Sequence, residues 1–328
     1  MRILAANDNA IAKAAKEIAN GDLVVLPTET VYGLGANALE GKAVAKIFDA
    51  KNRPSFNPLI VHVQDIDQAM KYGEFDDRSR SIAHHFWPGP LTLIVPRRKD
   101  CAVADLVSAG LPTIALRVPG HPVAQALIQE AGVPIAAPSA NRSGEPSATT
   151  PKHAAQSLQG VEGTILAAGS CQVGLESTVL DLSEQRPCIL RPGAITDEDL
   201  KPYLESVEYD FGHHEKPKSP GQILKHYAPS IPVRLNAVDV KEGEALLAFG
   251  SVQFMGVKSG GFARDMPETS FQNLSEAGDL QEAAANLFTM LRNLDNADNT
   301  GIAVMAIPDT GLGIAINDRL SRAAAATQ

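Results

Sequence analysis

The hydrophobic pattern is most informative between residues 23 and 63. A continuous apolar run at 23–26 is typical of a strand that is buried on both faces of a sheet. Residues 28–35 are polar and rich in turn residues, which indicates a loop. Apolar residues then recur at helical spacing over 43–48, and a second apolar run at 59–63 predicts another strand. The pattern therefore predicts a βαβ unit with two parallel strands and a right-handed crossover.

Ligands of such sheets bind beyond the carboxyl ends of the strands, where the loop at 28–35 is expected to lie. Lys51, Arg53 and Asn57 follow the predicted helix at the opposite end of the crossover. Cations at that position also complement the dipole of the helix, which is the structural interpretation. A ligand-binding role instead requires a twist or a mixed strand order that brings these residues to the first loop.

The strand predicted at 113–118 carries a single charge, Arg117. A guanidinium in such a run must face solvent, a partner carboxylate or a ligand, because burying it alone is costly. The next buried strand, 133–137, stops at a turn that contains Ser139 and Asn141. Such a turn presents neutral hydrogen-bond donors without a glycine-rich phosphate loop. Further strands at 164–168, 176–182 and 188–191 indicate a mixed parallel and antiparallel sheet with helices.

Beyond residue 206 the hydrophobic pattern fails, and Gly, Pro, His and Lys become frequent up to residue 231. This composition is typical of a linker. The remaining residues show alternating strand and helix patterns, with strands at 233–235, 245–249 and 301–307 and helices at 280–294 and 312–325. We therefore predict three parts: residues 1–206, a linker at 207–231, and a smaller Rossmann-like α/β domain at 232–328.

The composition restricts the possible functions. A formal net charge of −9 argues against a broad, non-specific nucleic-acid binder, which needs many cations. Cys101, Cys171 and Cys188 contain no CxxC pair, so neither a zinc site nor a disulfide framework is indicated. The N-terminal residues lack the apolar core of a signal peptide, and no apolar run reaches the ~20 residues of a membrane helix. A cytoplasmic protein is expected.

A set of motifs in fixed order carries a family resemblance. The chain contains PTETVYGLGANA, KNRPSFNPLIVHV, WPGPLTLIV, LPTIALRVPGHP, APSANRSGEPS, ESTVLDL and ILRPG between residues 23 and 193. Together they resemble the YrdC-type threonylcarbamoyl-AMP synthases. SPGQILKHYAP and the residues after it are similar to the linker and C-terminal domain of the longer, two-domain members.

The resemblance implies an enzyme that joins L-threonine, bicarbonate and ATP into threonylcarbamoyl-AMP and pyrophosphate. The product is used to modify adenosine next to the anticodon of certain tRNAs, so a hand-over to the tRNA threonylcarbamoyl transferase is expected. Mg²⁺ is expected as the cofactor, held mainly by the ATP phosphates, with no protein metal site. Within this assignment, our hypothesis is that the linker and the C-terminal domain close over the nucleotide and do not perform chemistry.

The resemblance also assigns candidate site residues. Lys51 and Arg53 are the expected catalytic residues, because their charges match phosphate oxygens. The positions implied for ATP binding are Lys51, Arg53, Asn57, Thr113, Ser139, Asn141, Ser147, Arg191 and Tyr227. The positions implied for L-threonine binding are Thr30, Tyr32, His62, Arg117, Ala137 and Ser177.

The sequence departs from the family pattern at two places. Gln222, Ile223 and Leu224 stand where many members carry methionine, a basic residue and an aromatic, and Glu145 stands where arginine is common. Two alternative functions would need sequence features of their own. An RNA-binding or ribosome-maturation module would need clustered cations and aromatics, and a carbamoyl-adenylating transferase would need paired-cysteine zinc modules.

Overall fold

A computed structural model describes residues 1–211, 217–219, 226–252, 255–257 and 261–327. The helices within these residues are α1 (Asp8–Ala19), α2 (Gly41–Lys51), α3 (Ile66–Ala69), α4 (Asp77–Phe86), α5 (Asp105–Ser108), α6 (Pro122–Ala131), α7 (Pro151–Ser157), α8 (Asp197–Leu200), α9 (Leu280–Leu294) and α10 (Leu312–Thr327).

The strands within the same residues number from β1 to β17. They are β1 (Arg2–Ala5), β2 (Val24–Leu26), β3 (Gly33–Asn37), β4 (Ile60–His62), β5 (Leu91–Pro96), β6 (Thr113–Arg117), β7 (Ile135–Ala136), β8 (Thr164–Ala167), β9 (Thr178–Asp181), β10 (Cys188–Arg191), β11 (Glu208–Tyr209), β12 (Val233–Arg234), β13 (Asp239–Val240), β14 (Glu244–Ala248), β15 (Gly256–Val257), β16 (Phe271–Asn273) and β17 (Gly301–Val304).

The large sheet is mixed, which confirms the predicted fold class. It has 11 strands in the order β1-β8-β2-β3-β7-β4-β6-β5-β9-β10-β11. One face carries the main hydrophobic core, to which α2 contributes its buried stripe. On the other face, α1 and α6 cover β2, β7 and β8 in a separate core. The predicted helix over residues 43–48 is therefore confirmed, and its apolar residues face the main core.

The predicted parallel βαβ unit between β2 and β4 is wrong. Residues 33–35, predicted as loop, belong to β3, which pairs antiparallel with β2. β7 lies between β3 and β4 and runs antiparallel to both, so β4 is parallel to β3 and antiparallel to β2. The glycines misled the prediction: a Cβ at Gly35 would lie 2.8 Å from Ile135 Cγ2 and 2.9 Å from Leu26 Cδ2. Gly35 thus allows close packing inside a strand and does not mark a turn.

The chain divides into two compact units. The first comprises Met1–Ser143, Ala148–Gln172 and Glu176–Ile223, and the second comprises Gly144–Ser147, Val173–Leu175 and Leu224–Gln328. β11 lies among the residues that the sequence assigns to a linker, and it pairs with β10 at the edge of the large sheet.

The second unit has a parallel sheet of its own. Its 4 strands follow the order β12-β17-β14-β16, all parallel, with β13 and β15 forming a separate pair. Asp279 caps the N-terminus of helix α9, because its carboxylate accepts hydrogen bonds from the backbone of Gln281 and Glu282. The helix buries the stripe that contains Leu287 and Phe288. This arrangement agrees with the predicted small α/β domain. Among the described residues, no helix combines the length and apolar character that crossing a membrane requires.

Candidate active site

The orientation of β4 brings the residues after α2 to the first loop. Because β4 is antiparallel to β2, its amino end lies at the same edge of the sheet as the carboxyl end of β2. Lys51, the last residue of α2, donates from Nζ to the carbonyl of Ser139 at 2.6 Å and to the carbonyl of Asn141. The side chain is buried, so its charge depends on such partners. Lys51 and the Ser139–Asn141 turn therefore meet at one edge.

Arg53 organises the loop between α2 and β4. Asn52 ends α2 in the left-handed conformation, and the Arg53 amide donates to Phe48. The Arg53 side chain then donates from Nε to the Asn57 carbonyl at 3.3 Å and from Nη2 to the Pro58 carbonyl at 2.9 Å. These hydrogen bonds fold the segment back on itself. The helix-dipole interpretation therefore does not by itself account for Arg53, which donates to two carbonyls of this loop.

Asn57 is a buried amide with unmet hydrogen-bonding capacity. Its side chain is 0% exposed, and neither Oδ1 nor Nδ2 has a hydrogen-bond partner among the described residues. A buried amide in this state is costly unless a ligand or water completes it. Asn57 therefore marks a position where a polar ligand group would be stabilised, next to the Lys51 and Arg53 cations.

A second group of candidate residues lies on one face of the sheet. His62 and Arg117 are direct neighbours on the parallel strands β4 and β6. Side chains alternate along a strand, so Ile60 and Ala115 share this face, while Val61 and Leu116 point into the main core. The apolar floor of this face is completed by Ile94, Val179 and Leu190.

Ser177 and Arg191 extend the same face. The Ser177 hydroxyl lies 2.7 Å from the Thr92 hydroxyl, across the parallel strands β5 and β9. Arg191 donates from Nε to the Ser177 carbonyl at 3.1 Å and from Nη2 to the Ser177 hydroxyl at 3.1 Å. A candidate threonine residue and a candidate nucleotide residue are thus joined directly.

Arg117 already pairs with a protein carboxylate, Glu29. Arg117 Nη2 lies 2.6 Å from Glu29 Oε1, and the two side chains are 4% and 13% exposed. Arg117 Nε donates to the Gly89 carbonyl at 3.2 Å, and the Gly120 amide donates to Glu29 Oε2 at 3.0 Å. Burial is the largest single influence on the pKa of the Glu29 carboxyl and acts to raise it, but the Arg117 charge, the hydrogen bond from Arg117 and the backbone hydrogen bonds together hold that pKa below its ordinary value. Sequence reasoning assigned no role to Glu29, although it required a partner for Arg117.

His62 is neutral at physiological pH in this environment. Burial, followed by the neighbouring Arg117 charge, lowers the pKa of His62 from 6.5 to about 3. No described residue is a hydrogen-bond partner of its Nδ1 atom. The imidazole can therefore orient a ligand by hydrogen bonding, but it is a weak base.

The first loop is held by its own side chains. The hydroxyls of Thr28 and Thr30 are 2.7 Å apart, and Thr28 also donates to the Val31 carbonyl at 2.6 Å. The Tyr32 hydroxyl donates to the Gly169 carbonyl at 2.7 Å and accepts from the Ala168 amide at 3.1 Å. Burial raises the pKa of Tyr32 to about 12. Tyr32 belongs to the main core, so its hydroxyl serves the backbone and supports the loop that carries Thr30.

Two other candidates lie within the first unit. Ala137 follows β7, and its amide donates to the Ile60 carbonyl at 3.0 Å. Thr113 begins β6, opposite Pro96, and is half-buried.

Ser147 and Tyr227 lie in the second unit. Ser147 is fully buried there, and the amide after Tyr227 donates to the Gly144 carbonyl at 2.8 Å. Tyr227 is in the left-handed conformation, with φ 63° and its ring 5.4 Å from that of Phe288. The Arg319 guanidinium lies 5.3 Å from the centre of the Tyr227 ring.

One departure from the family pattern has a local explanation. Glu145 lies 4.0 Å from Arg292, a cation of α9 in the same unit. Glu145 stands where arginine is common in the family, and Arg292 places a guanidinium close to this position in space. Gln222, Ile223 and Leu224 lie outside the described residues.

Two cavities of the first unit lie elsewhere. One of about 800 Å³ is lined by Arg2, Lys46 and Glu162 among others, and one of about 440 Å³ by Arg78 and Glu184 among others. Neither contains a candidate residue. Arg2 pairs with Glu17, Lys46 pairs with Asp22, and Arg78 donates to three backbone carbonyls. The candidate residues therefore lie outside both of these cavities.

Comparison with known proteins adds family evidence to this geometry. A family model described as "Telomere recombination" matches residues 16–193, and one described as "Threonylcarbamoyl-AMP synthase, C-terminal domain" matches residues 195–325. A threonylcarbamoyl-AMP synthase of Bacillus subtilis is 41% identical, covering 98% of this chain and 94% of the relative. One of Pyrococcus abyssi is 38% identical, covering 94% and 92%.

A solved structure matches over both units. The crystal structure of P. abyssi Sua5 complexed with L-threonine has a TM-score of 0.87 and 34% identity, and the match covers 99% of this chain and 97% of that one.

Proposed function

The chain belongs to the threonylcarbamoyl-AMP synthase family, and we propose that it joins L-threonine, bicarbonate and ATP on the sheet face that carries His62 and Arg117. The observation that supports this assignment is that the buried Arg117 and the neutral His62 lie side by side on a sheet face with apolar neighbours. The cation Lys51 lies at one edge of the same sheet. The reaction is a nucleotidyl transfer, and its product serves the modification of tRNA next to the anticodon.

The threonine end of the proposed site is built on Arg117. Its guanidinium suits a carboxylate, because it is a permanent cation whose N–H groups form charge-assisted hydrogen bonds to carboxylate oxygens. His62 and the Thr30 hydroxyl supply neutral hydrogen-bonding groups, and Ser177 and Ala137 complete the proposed contacts. Tyr32 stabilises the loop that carries Thr30 through its hydroxyl, and we assign it no direct contact with threonine. The apolar floor suits the methyl group of threonine.

The nucleotide end is proposed to lie at the Lys51 edge. Phosphate binding is supported by the two cations, Lys51 and Arg53, and by the orphaned amide of Asn57. Ser139 and Asn141 belong to the turn that Lys51 holds. The other proposed ATP contacts are Thr113, Ser147, Arg191 and Tyr227.

The chemistry sets the order of events. The threonine amine must lose a proton before its lone pair attacks the carbon of carbon dioxide to form the carbamate; with bicarbonate, the same C–N bond forms and a water molecule leaves. A carbamate oxygen then attacks the α-phosphorus, a P–O bond forms, and pyrophosphate leaves with its electron pair. With a pKa of about 3, His62 is too weak a base to deprotonate an ammonium group, so we assign it orientation and not proton transfer.

Mg²⁺ is the proposed cofactor. The described residues contain no group of three or more His, Cys, Asp or Glu that could hold a metal ion. We propose that Mg²⁺ would be held by the nucleotide phosphates and water, beside the hydroxyl and amide groups of the proposed phosphate edge. Bound there, Mg²⁺ neutralises charge on the triphosphate.

The proposed division of the chain keeps catalysis in residues 1–206, with a linker at 207–231 and a closing role for residues 232–328. A chain that ends at residue 211 retains β11 and tests this division. We expect it to lose ATP affinity, whereas full activity would exclude the closing role. We also propose that the enzyme works in the cytoplasm, where its labile product passes to the tRNA threonylcarbamoyl transferase.

Pyrophosphate release tests the proposed function. We expect release to require ATP, Mg²⁺, bicarbonate and L-threonine together, and to fall when serine replaces threonine. Release without bicarbonate would indicate plain ATP hydrolysis. Arg53→Ala should abolish release with the fold intact by circular dichroism, and an undiminished rate would remove Arg53 from the site.

A further inference from the structure

The carboxylate of Glu29 is committed on both oxygens. Oε1 accepts from Arg117 Nη2 at 2.6 Å, and Oε2 accepts from the Gly120 amide at 3.0 Å. A Cβ at Gly120 would lie 3.6 Å from Glu29 Cδ, so the carboxylate is in ordinary van der Waals range of this backbone. Glu29 is therefore held in place by the segment that follows β6, and it holds the guanidinium of Arg117 in turn.

Two of the three nitrogens of Arg117 are used by the protein. Nε donates to the Gly89 carbonyl and Nη2 to Glu29, while Nη1 has no hydrogen-bond partner among the described residues. A planar guanidinium that is fixed through Nε and Nη2 has a fixed direction for Nη1. Arg117 is the direct neighbour of His62 on the adjacent strand. A ligand beside His62 can therefore meet Nη1 without any rearrangement of the Arg117–Glu29 ion pair.

We infer that Glu29 is a positioning residue, which fixes the Arg117 guanidinium so that Nη1 receives the carboxylate of the amino-acid substrate. The inference rests on the proposed role of Arg117 in threonine binding. A preset guanidinium loses less side-chain freedom on binding, which strengthens substrate affinity.

Two rival roles for Glu29 have different consequences. A proton-accepting role conflicts with its low pKa and with the engagement of both oxygens. An inhibitory role is the stronger rival, because Glu29 carries the same charge as the substrate carboxylate and competes for Arg117. Under that rival, removing the charge of Glu29 would strengthen threonine binding.

Two substitutions separate positioning from charge. Glu29→Gln removes the charge with little change in shape, and it turns a donor towards either Arg117 or Gly120. Glu29→Asp keeps the charge but is one methylene shorter, so it cannot reach both partners in the present geometry. Positioning predicts that both substitutions weaken threonine binding, whereas a pure charge effect predicts that Glu29→Asp behaves like the natural protein.

Glu244 provides a matched control in the second unit. It pairs with Arg234, its side chain is 13% exposed like that of Glu29, and it also accepts from a backbone amide, that of Lys241. Glu244→Gln therefore removes the charge of an equally buried carboxylate from a part of the chain with no proposed threonine contact, although its partner Arg234 is more exposed than Arg117 and also pairs with Asp239. It should lower the melting temperature without changing the KM for threonine.

The experiment measures KM and kcat for pyrophosphate release with the full chain. We expect Glu29→Gln and Glu29→Asp each to raise the KM for threonine about tenfold, with the KM for ATP changed by less than about twofold. The preference for threonine over serine should stay unchanged, because both share the α-carboxylate.

Arg117→Lys separates the inference from the proposed function. If Arg117→Lys raises the KM for threonine and neither Glu29 substitution does, Glu29 is not a positioning residue and the proposed site stands. If Arg117→Lys leaves that KM unchanged, the proposed role of Arg117 fails. A lower KM in Glu29→Gln would overturn positioning in favour of competition. Should Glu29→Gln not fold, Glu29→Asp alone decides between positioning and charge.

Discussion

The His62 imidazole and the Arg117 guanidinium occupy matched positions on two adjacent parallel strands, and both are buried. Burial and the neighbouring cation act together, so the pKa of His62 falls to about 3. The pairing therefore supplies one permanent positive charge and one neutral ring. A substrate with both a carboxylate and uncharged polar groups fits this combination.

The first prediction concerns acid stability and His62. The folded protein keeps His62 neutral down to about pH 3, whereas the unfolded chain binds a proton below its ordinary pKa of 6.5. The unfolded state is therefore favoured as the pH falls from 6.5 towards 3, by up to ~1.4 kcal/mol per pH unit. Urea unfolding at several pH values should show a weaker acid dependence in His62→Gln. Identical dependence in both proteins would mean that His62 titrates normally.

The second prediction uses the orphaned amide of Asn57. Asn57→Leu removes two unsatisfied buried atoms with little change in size, so the free energy of unfolding should stay equal or rise. The same substitution should raise the KM for ATP about tenfold, because the proposed phosphate contact is lost.

Asn299 is the matched control for Asn57. It is also buried, but its Nδ2 donates to Thr269 and Leu294 and its Oδ1 accepts from Ser270. Asn299→Leu should therefore lower the free energy of unfolding by about 2 kcal/mol or more and leave the KM for ATP unchanged. Equal destabilisation by both substitutions would show that Asn57 is satisfied in solution.

The third prediction separates support from contact at Tyr32. Tyr32→Phe removes a hydroxyl that bridges Gly169 and Ala168, so we expect a loss of about 1–2 kcal/mol in the free energy of unfolding. Tyr72→Phe is the control, because the Tyr72 hydroxyl has no hydrogen bond to a described residue although its ring lies in the same core. The KM for threonine should be unchanged in both. A selective rise in that KM for Tyr32→Phe would favour direct contact with threonine.

The fourth prediction concerns packing between β2, β3 and β7. Gly35→Ala places a methyl group 2.8 Å from Ile135 Cγ2, so thermal denaturation should show a loss of about 1–3 kcal/mol. Gly41→Ala, at the start of α2, meets no atom within 4 Å and should be neutral or slightly stabilising. A fully stable Gly35→Ala protein would mean that the strands separate easily.

The sequence predicted the mixed sheet and the small second domain from the local period of their longer strands and helices, but it did not predict the short strands β13, β15 and β16. It predicted the wrong orientation for β4, because glycine occurs both in turns and at strand positions with a close neighbour. The sequence alone does not show which of the two applies to Gly33 and Gly35. β7, which separates β3 from β4, comes some hundred residues later in the chain. Local periodicity contains no information about such a partner.

The candidate site shows the same division. Arg117 was identifiable because a lone charge in an apolar strand needs a partner. Its partner Glu29 was not, because a glutamate in a polar loop is ordinary and only the folded chain brings it to β6. The signal was that Arg117 must face solvent, a partner carboxylate or a ligand, and the motif that contains Glu29 supplied the carboxylate.

The alternation along β4 and β6 has a consequence for evolution of the chain. Val61 and Leu116 point to the core, while His62 and Arg117 point to the proposed site. Only the backbone of β4 and β6 separates these two sets of side chains. Deleting or inserting one residue there would exchange the two sides, sending the guanidinium into the hydrocarbon interior and a leucine towards the substrates. We therefore expect length variation among relatives to avoid these two strands and to accumulate in the connecting segments.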